Sequence, residues 1–185
     1  MNQDAYQKIL VVGIDDGSFV KGVTKKTILS AVLFRGLEIK NVKLVEIEVD
    51  GLDATEKILE ALAKWDFEVV MLAGVSFAGF NLIDPAVLFK KFGKPVIVIS
   101  RVKHNNRAVK SALRKHFKDW QIRWRVFKEL GPIRKVTVLV EEPPLYIETI
   151  GVDARWTRHL IKALAVCGRV PEPLRVARLI ARGLS

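Results

Sequence analysis

Apolar residues along the chain occur in three patterns: continuous runs, alternating runs and repeats of three or four positions. Continuous runs such as residues 69–72 predict buried strands, and the β-branched residues on either side of Arg35-Gly36-Leu37-Glu38 predict an antiparallel hairpin. These patterns predict strands at residues 9–14, 26–34, 39–49, 69–72, 94–101, 134–140 and 145–150.

Repeats of three or four positions predict helices between the strands. They cover residues 53–64, a short segment that begins at Asp84 and Pro85, residues 105–120, residues 122–130 after a bend, and residues 153–166 and 173–184. Asp53 and Glu56 have the spacing of a capping box, so we expect the Asp53 side chain to cap its helix. Because helices alternate with strands after a leading hairpin, the order predicts an α/β fold whose mixed sheet has an antiparallel hairpin followed by parallel strands, with flanking helices. The length of 185 residues predicts a single domain, residues 1–185.

Positive charge is concentrated in the second part of the chain. Residues 1–100 carry a net charge of −1 and residues 101–185 carry +12, and residues 101–135 alone hold 12 basic and 2 acidic groups. Such a local excess is typical of a protein that binds a polyanion, and a solubilising surface is the alternative interpretation. No apolar run reaches the roughly 18 to 20 residues of a membrane helix, so no membrane partner is expected.

The basic residues of this region form a ridge on the predicted helix. Lys103, Arg107, Lys110 and Arg114 recur at intervals of three or four, opposite an apolar stripe. They predict sequence-independent phosphate contacts, with DNA as the expected partner and RNA as the alternative. Arg175 is a further phosphate-binding candidate, or else a partner for Glu172. Trp120 and Trp124 fall at helical intervals with other apolar residues and are expected in the core, with a role as stacking platforms as the alternative.

Cysteine usage and glycine motifs narrow the possible cofactors and setting. Cys167 is the only cysteine, so an internal disulfide is impossible and a reducing, cytoplasmic setting is expected. Neither a P-loop nor Gly-x-Gly-x-x-Gly follows the first strand, so no nucleotide cofactor is expected.

Carboxylates lie where two predicted strands end. Asp15 and Asp16 follow the first strand, and Asp50 and Asp53 follow the second strand of the hairpin. Carboxylates gathered at strand ends can hold Mg²⁺, which suits phosphodiester hydrolysis. The alternative is that Asp15-Asp16-Gly17 forms a turn and Asp53 is only a helix cap.

Four segments carry a resemblance to a known family. They are Val-Val-Gly-Ile-Asp-Asp-Gly-Ser-Phe at 11–19, Glu-Val-Asp-Gly-Leu-Asp-Ala-Thr-Glu-Lys at 48–57, Gly-Val-Ser-Phe-Ala-Gly-Phe-Asn at 74–81 and Pro-Glu-Pro-Leu-Arg-Val-Ala at 171–177. In this order they resemble an archaeal family related to endonuclease V and described as endonuclease dU-like. The resemblance spans nearly the whole chain. It implies a ribonuclease-H-like fold, and the predicted order of elements is the one that such a sheet requires. It also implies a metal-dependent endonuclease that nicks DNA near a deaminated base such as deoxyuridine.

The resemblance also implies roles for individual residues. Asp15 is similar to the first-strand aspartate that binds Mg²⁺ in the endonuclease V group, with Mn²⁺ as the alternative ion. The glutamate of that group falls on residues 50–53, where Asp53 is favoured as the second catalytic carboxylate and Asp50 is next. Arg101 falls where that group has a lysine near the cleaved phosphate.

The loop that follows residues 69–72 lies where the resemblance places base recognition. Ser76 and Asn81 could hydrogen-bond base edges, and Phe77 or Phe80 could stack on an extruded base. The alternative is that both Phe side chains belong to the core and Gly74 and Gly79 only shape the turn.

The sequence also departs from the endonuclease V pattern. Ala73 stands where a third metal-binding aspartate is expected, so the site must recruit Asp16, use more water, bind metal weakly or be inactive. The Gly-His-Arg segment and the Pro-Tyr wedge of that group are also absent. The alternative function is therefore a nucleic-acid-binding protein of the same fold with weakened or lost catalysis, and a third is a structural or regulatory protein without nucleic acid.

Overall fold

A seven-stranded mixed sheet forms the centre of the computed structural model, which describes residues 3–6 and 8–185. The strand order is β3-β2-β1-β4-β7-β9-β8, and β5 and β6 form a separate two-stranded ribbon. The strands are β1 Leu10–Asp16, β2 Lys26–Arg35, β3 Glu38–Glu48, β4 Val69–Leu72, β5 Ser76–Phe77, β6 Asn81–Leu82, β7 Val96–Ser100, β8 Arg134–Val136 and β9 Leu145–Ile150. The leading hairpin is antiparallel, and β1, β4 and β7 run parallel to one another, which confirms the predicted mixed sheet.

Helices cover both faces of the sheet. They are α1 Gln3–Tyr6, α2 Ala54–Leu62, α3 Pro85–Phe92, α4 Asn106–His116, α5 Trp120–Glu129, α6 Ala154–Leu164 and α7 Glu172–Gly183. One core joins one face of the sheet to α2, α3, α4 and α5, and a second core joins the other face to α1, α6 and α7. Both faces of β1 are therefore buried, which explains its continuous apolar run. No helix within residues 3–6 and 8–185 combines the length and the apolar character that crossing a membrane requires.

The last helix packs directly on the first strand. A side chain at Gly13 would overlap the backbone and ring of Pro173, so glycine is required for this close approach. The contact brings α7 over the same face of β1 as Val11, Gly13 and, two residues further, Asp15. The end of β1 is thus covered by α7 on the Asp15 side.

Three local predictions are wrong. The strand predicted at residues 134–140 ends at Val136. The helix predicted at residues 105–120 breaks at Phe117, whose extended backbone (φ −128°, ψ 128°) ends α4, and Trp120 opens α5 instead. Asp53 precedes α2 but makes no side-chain cap, because Asn81 Oδ1 accepts the Ala54 N–H at 3.0 Å in its place.

Candidate active site

Asp15 and Asp16 end β1 and open onto a pocket at the carboxyl ends of the parallel strands. The backbone N–H of Asp16 donates to Asp15 Oδ1 at 2.9 Å, and Asp16 Oδ2 accepts the Ala78 N–H at 2.5 Å. We call this space of about 330 Å³ the carboxylate pocket; its polar lining is Asp15, Asp16, Ser100, Arg101 and Arg178. The structure thus brings together three of the predicted site residues, Asp15, Asp16 and Arg101.

Asp15 is held in an environment that opposes its charge. The side chain is 5% exposed, and burial is the main reason that its pKa is raised to about 7. The Asp16 carboxylate raises the pKa as well, whereas the Asp16 backbone N–H and the Arg178 guanidinium lower it. A carboxyl group with such a pKa, inside a pocket with cationic side chains, is typical of a functional site.

Two arginines give the carboxylate pocket its cationic side. Partial burial lowers the pKa of Arg101, the nearby positive charge of Arg178 lowers it further, and Asp15 acts in the opposite direction. Sequence reasoning missed Arg178. A signal was present, because Arg175, Arg178 and Arg182 recur at helical spacing after the Pro-Glu-Pro segment.

Ala73 occupies the position beside Asp15 on the neighbouring strand. β1 and β4 pair in parallel with Ile14 opposite Leu72, and the Ala73 N–H donates to the Ile14 carbonyl at 3.1 Å. The missing third carboxylate would therefore lie next to Asp15. Ala73 instead leaves apolar surface in the wall of the carboxylate pocket.

The predicted set of four metal-binding carboxylates is not assembled. Across residues 3–6 and 8–185, no group of three or more His, Cys, Asp or Glu side chains is placed to hold a metal ion. Asp50 and Asp53 turn away from Asp15 to hydrogen-bond the loop of residues 78–81 and its surroundings. Asp50 Oδ1 accepts the Phe80 N–H at 2.8 Å, and Asp53 Oδ1 accepts from Asn81 Nδ2 at 2.5 Å.

The remaining pair still fits a divalent ion of the Mg²⁺ type. Asp15 and Asp16 share one pocket and repel each other, and a cation relieves that repulsion. Mg²⁺ in phosphoryl-transfer sites is commonly held by one or two carboxylates together with substrate phosphates and water. The donor set therefore fits an ion completed by a phosphate, and does not fit a closed cage of protein ligands.

A second pocket lies on the other side of Ala78. We call it the aromatic cup, and its volume is about 320 Å³. Its apolar walls are Phe19, Phe80 and Phe117, and its polar groups are Lys21, Asp50 and His116. The rings of Phe80 and Phe117 meet edge to face, with centroids 5.5 Å apart. Gly79 (φ 85°) also forms part of the wall. A side chain at this position would overlap the Asp50 carboxylate.

Ala78 connects the two pockets through its backbone. Its N–H donates to Asp16 in the carboxylate pocket, and its carbonyl accepts the Asp50 N–H at 2.8 Å beside the aromatic cup. Both Ala78 (φ 44°) and Asp50 (φ 59°) adopt a left-handed backbone, which aspartate tolerates but which is strained for alanine. Strain of this kind is a feature of functional sites.

The four residues predicted to recognise a base have separate positions. Phe80 lines the aromatic cup, but Phe77 is 1% exposed and packs in the core. Asn81 is fully buried and uses its amide to cap α2 and to bind Glu48 and Asp53, so it cannot reach a base edge. Ser76 Oγ is buried as well, with no hydrogen-bond partner in the described part of the chain. The alternative position in the core is therefore the one that Phe77 occupies, whereas Phe80 is only partly buried.

All residues of the predicted basic ridge are exposed, whereas Arg175, the other phosphate-binding candidate, is bound within the protein. Lys103, Arg107, Lys110 and Arg114 all reach solvent on or just before α4. Arg175 is engaged elsewhere, because it makes a two-pronged ion pair with Glu172 at 2.8 and 2.6 Å. The pair fixes the first turn of α7 and removes Arg175 from the phosphate-binding set.

A buried arginine that sequence reasoning also missed supports the aromatic cup. Arg123 is 5% exposed and donates from Nη1 to the carbonyls of Gly51 (2.9 Å) and Phe80 (2.6 Å). Its guanidinium carbon lies 4.2 Å from the centre of the Phe117 ring, and Asp119 balances its charge. The i, i+4 spacing of Asp119 and Arg123 was the available signal, although such pairs are more often exposed.

The mixed sheet and its flanking helices have a ribonuclease-H-like fold, as comparison with solved structures shows. An endonuclease V from Ciona intestinalis, solved in complex with a 24mer DNA containing an inosine followed by a ribo-adenosine, superposes with a TM-score of 0.66 at 13% identity over 98% of this chain and 93% of that chain. Human endonuclease V superposes with a TM-score of 0.60 at 17% identity over 97% and 88%. At these identities the likeness concerns the fold, and the predicted ribonuclease-H-like fold is confirmed.

Comparison of the sequence with known families assigns this chain to one of them. The family model described as Endonuclease dU matches residues 7–185, and the chain belongs to that family, as predicted. A UPF0215 protein from Thermococcus gammatolerans is 38% identical over 94% of this chain and 91% of its own length, and one from Methanosarcina mazei is 36% identical over 100% and 96%. A protein of unknown function from Archaeoglobus fulgidus has a TM-score of 0.82 at 28% identity, covering 94% of this chain and 96% of that chain.

Proposed function

We propose that the chain acts as a single-domain, metal-dependent endonuclease that nicks DNA near a deaminated base, with deoxyuridine the expected lesion. The observation that carries the proposal is the carboxylate pocket, where the buried Asp15 and the half-buried Asp16 share a space of about 330 Å³ with Arg101 and Arg178. The family description and the endonuclease V neighbours support a nuclease-like function. The single cysteine supports a cytoplasmic setting.

The carboxylate pocket can hold the reacting phosphate. Asp15 and Asp16 would bind Mg²⁺, or Mn²⁺ in its place, and the bound ion supplies a Lewis acid and an activated water. Arg101 and Arg178 donate charge-assisted hydrogen bonds to phosphate oxygens and stabilise the charge that builds up during hydrolysis. We assign Asp50 and Asp53 to the support of the aromatic cup and its loop and not to the metal.

The aromatic cup can hold the altered base. Phe80 and Phe117 provide ring surfaces for an extruded base, whose flipping costs less when its pairing is poor. Asp50 adds selectivity. Deamination turns the ring nitrogen N3 of cytosine, or N1 of adenine, from an acceptor into an N–H donor, and the Asp50 carboxylate is an acceptor only. Uracil or hypoxanthine can therefore donate this ring N–H to Asp50, whereas cytosine and adenine have no donor at the same ring position.

The experiment is a nicking assay on end-labelled DNA that carries one deoxyuridine, one deoxyinosine or no lesion, with Mg²⁺, Mn²⁺ or EDTA, and with a matched RNA arm. We expect metal-dependent cutting near the deaminated base that falls about a thousandfold in Asp15→Asn, since loss of metal binding removes several kcal/mol of transition-state stabilisation. Asp66→Asn is the matched control, because Asp66 is exposed just before β4, at the opposite end of the sheet.

The same assay distinguishes the second candidate function, a nucleic-acid-binding protein without catalysis, which Ala73 favours. Lesion-dependent binding with no cutting in either metal would support that candidate over the endonuclease. Cutting that persists in EDTA or in Asp15→Asn would contradict the metal mechanism, and the absence of any binding at low salt would exclude both functions.

A further inference from the structure

A groove on the outer surface of α4 and α5 combines indole rings with basic side chains. Its volume is about 540 Å³, and we call it the tryptophan groove; its lining is Lys110, Trp120, Gln121, Trp124, Arg125 and Lys128. Neither the carboxylate pocket nor the aromatic cup shares a lining residue with it. The prediction that Trp120 and Trp124 belong to the core is therefore only half right, since both pack against the core and also line this groove.

The two indoles are held in fixed positions. Trp124 stacks on the buried Phe127, with centroids 6.1 Å apart and an angle of 19° between the planes. Lys110 Nζ lies 5.6 Å from the Trp124 ring centre, and the Arg114 guanidinium carbon lies 5.4 Å from that of Trp120. A cation is attracted to the face of an aromatic ring. Each indole of the groove therefore lies beside a basic side chain.

The charge of the tryptophan groove has one sign. Its ionisable lining residues are Lys110, Arg125 and Lys128, with no carboxylate among them. Arg125 is partly balanced by Glu129 at 3.7 Å and Asp84 at 4.0 Å, so Lys110 and Lys128 carry most of the free positive charge. The basic ridge residues Arg107 and Lys103 continue this charge along the chain toward Arg101 and the carboxylate pocket.

Another half-buried tryptophan shows that this combination is not a general result of exposing an indole. Trp156 lines a groove of about 460 Å³ near the opposite end of the sheet, and the ionisable groups of that groove are Glu68 and Asp153. Its lining contains no lysine or arginine. Each groove therefore contains tryptophan and the two have similar volumes, but their ionisable lining residues have opposite charge.

We propose that the tryptophan groove binds unpaired nucleotides of a nucleic acid strand. Trp120 and Trp124 would stack on successive bases, and Lys110 and Lys128 would contact the phosphates between them. Base stacking on aromatic side chains within a basic groove is the usual basis of sequence-independent single-strand binding. A duplex buries its base faces within the helix, so this groove selects strands that are single or locally opened. The site does not depend on cutting and adds a contact beyond the proposed endonuclease activity.

The test measures binding of an undamaged 12-nucleotide oligothymidylate and of the matched duplex in EDTA, by fluorescence anisotropy of the labelled DNA. We expect the single strand to bind more tightly than the duplex. Trp124→Leu should weaken single-strand binding about tenfold because one stacked base loses its aromatic partner, and Trp124→Phe should retain most of the affinity. Trp156→Leu is the matched control and should leave the affinity unchanged.

A second pair of variants tests the phosphate contacts and does not depend on removing a half-buried ring. Lys110→Gln with Lys128→Gln changes two exposed side chains and should reduce the slope of log affinity against log salt by about 1.4, or 0.7 per contact for a single strand. Lys162→Gln, on α6 across the sheet, is the control. Equal losses in Trp124→Leu and Trp156→Leu, an unchanged salt slope, or equal affinity for duplex and single strand would overturn the proposal. Because the oligonucleotides are undamaged and metal is absent, these outcomes are independent of the nicking assay.

Discussion

The carboxylate pocket and the aromatic cup have nearly the same volume, about 330 and 320 Å³, and opposite chemistry. The first is formed where β1 and β7 end under α7, and pairs carboxylates with arginines. The second is formed by loops and the end of α4, and combines three phenylalanines with Lys21, Asp50 and His116. Ala78 lies between them and hydrogen-bonds to both sides. Under the proposed function, the pocket at the strand ends would hold the phosphate and the cup in the adjacent loops would hold the base.

The two pockets are also stabilised differently. Asp15 lies in a buried position that raises its pKa, so its charge works against the folded state when no cation is bound. The aromatic cup is held by Arg123, whose hydrogen bonds satisfy two loop carbonyls. A cation can therefore relieve the unfavourable burial of charge in the carboxylate pocket, whereas the loops of the cup are held by hydrogen bonds within the protein.

Replacing the buried guanidinium should have the largest effect on stability. In Arg123→Leu the carbonyls of Gly51 and Phe80 lose their donor and Asp119 loses its partner, so we expect unfolding free energy to fall by about 3–5 kcal/mol, measured by urea denaturation. Arg125→Leu on the same helix removes an exposed cation and should cost less than about 1 kcal/mol. Similar losses in the two variants would contradict the supporting role of Arg123.

Removing the charge of Asp15 should stabilise the metal-free protein at high pH. Because its pKa is raised to about 7 in the folded state from the usual 3.8, the folded protein holds a proton that the unfolded chain releases. The stabilisation that this proton gives to the folded protein is complete below pH 4 and is lost as the pH rises through 7. We therefore expect Asp15→Asn to be more stable than the original protein by about 1–4 kcal/mol at pH 8, with the difference vanishing near pH 4.

Urea denaturation at several pH values in EDTA measures the difference in unfolding free energy between Asp15→Asn and the original protein. Asp66→Asn is the control, for which this difference should not depend on pH. Burial raises the pKa of Glu148 to about 7 as well, so Glu148→Gln should show the same dependence on pH. Mg²⁺ should reduce the difference in unfolding free energy between the original protein and Asp15→Asn, and should not reduce the corresponding difference for Glu148→Gln. A difference independent of pH would show that the Asp15 charge is not opposed by its surroundings.

Changing one atom of the Asp50 side chain should alter base selection without affecting the carboxylate pocket. Asn tolerates the left-handed backbone at this position, and its Oδ1 can still accept the Phe80 N–H. Its Nδ2 donates where the carboxylate accepted, so we expect the preference for deoxyuridine over cytosine to fall about 10- to 100-fold. Relative nicking rates on matched substrates measure this. Unchanged selectivity would remove Asp50 from base recognition.

Restoring a carboxylate beside Asp15 should give the smallest change. Ala73→Asp is expected to tighten Mg²⁺ binding about tenfold, measured as the metal concentration that half-maximally raises the Tm, because another oxygen ligand joins the pair. Ala73→Asn matches its size and lacks its charge. If both variants respond alike, the added charge is not a ligand, and the absent aspartate is not what limits metal binding.

Periodicity predicted most of the secondary structure, because burial on one or both faces of an element leaves a regular mark in the chain. The continuous run of β1 and the Asp84 cap of α3, with its bonds to Ala86 and Val87, follow from local rules. The same rules failed at Asp53. A cap from Asn81, 27 residues away in sequence, replaced the local one, and no window of sequence contains that contact.

The candidate site was predicted only in part, for a similar reason. The sequence alone determined the fold class, the family, the basic second half of the chain and the Asp15–Asp16 pair, since each depends on order, composition or neighbouring residues. Tertiary structure decided which carboxylates share a pocket, that Arg178 joins them and Arg175 does not, and that Phe80 faces the cup while Phe77 is buried. Those outcomes depend on which atoms from distant segments compete for the same hydrogen bond or the same space, and that competition exists only once the sheet and its helices have packed.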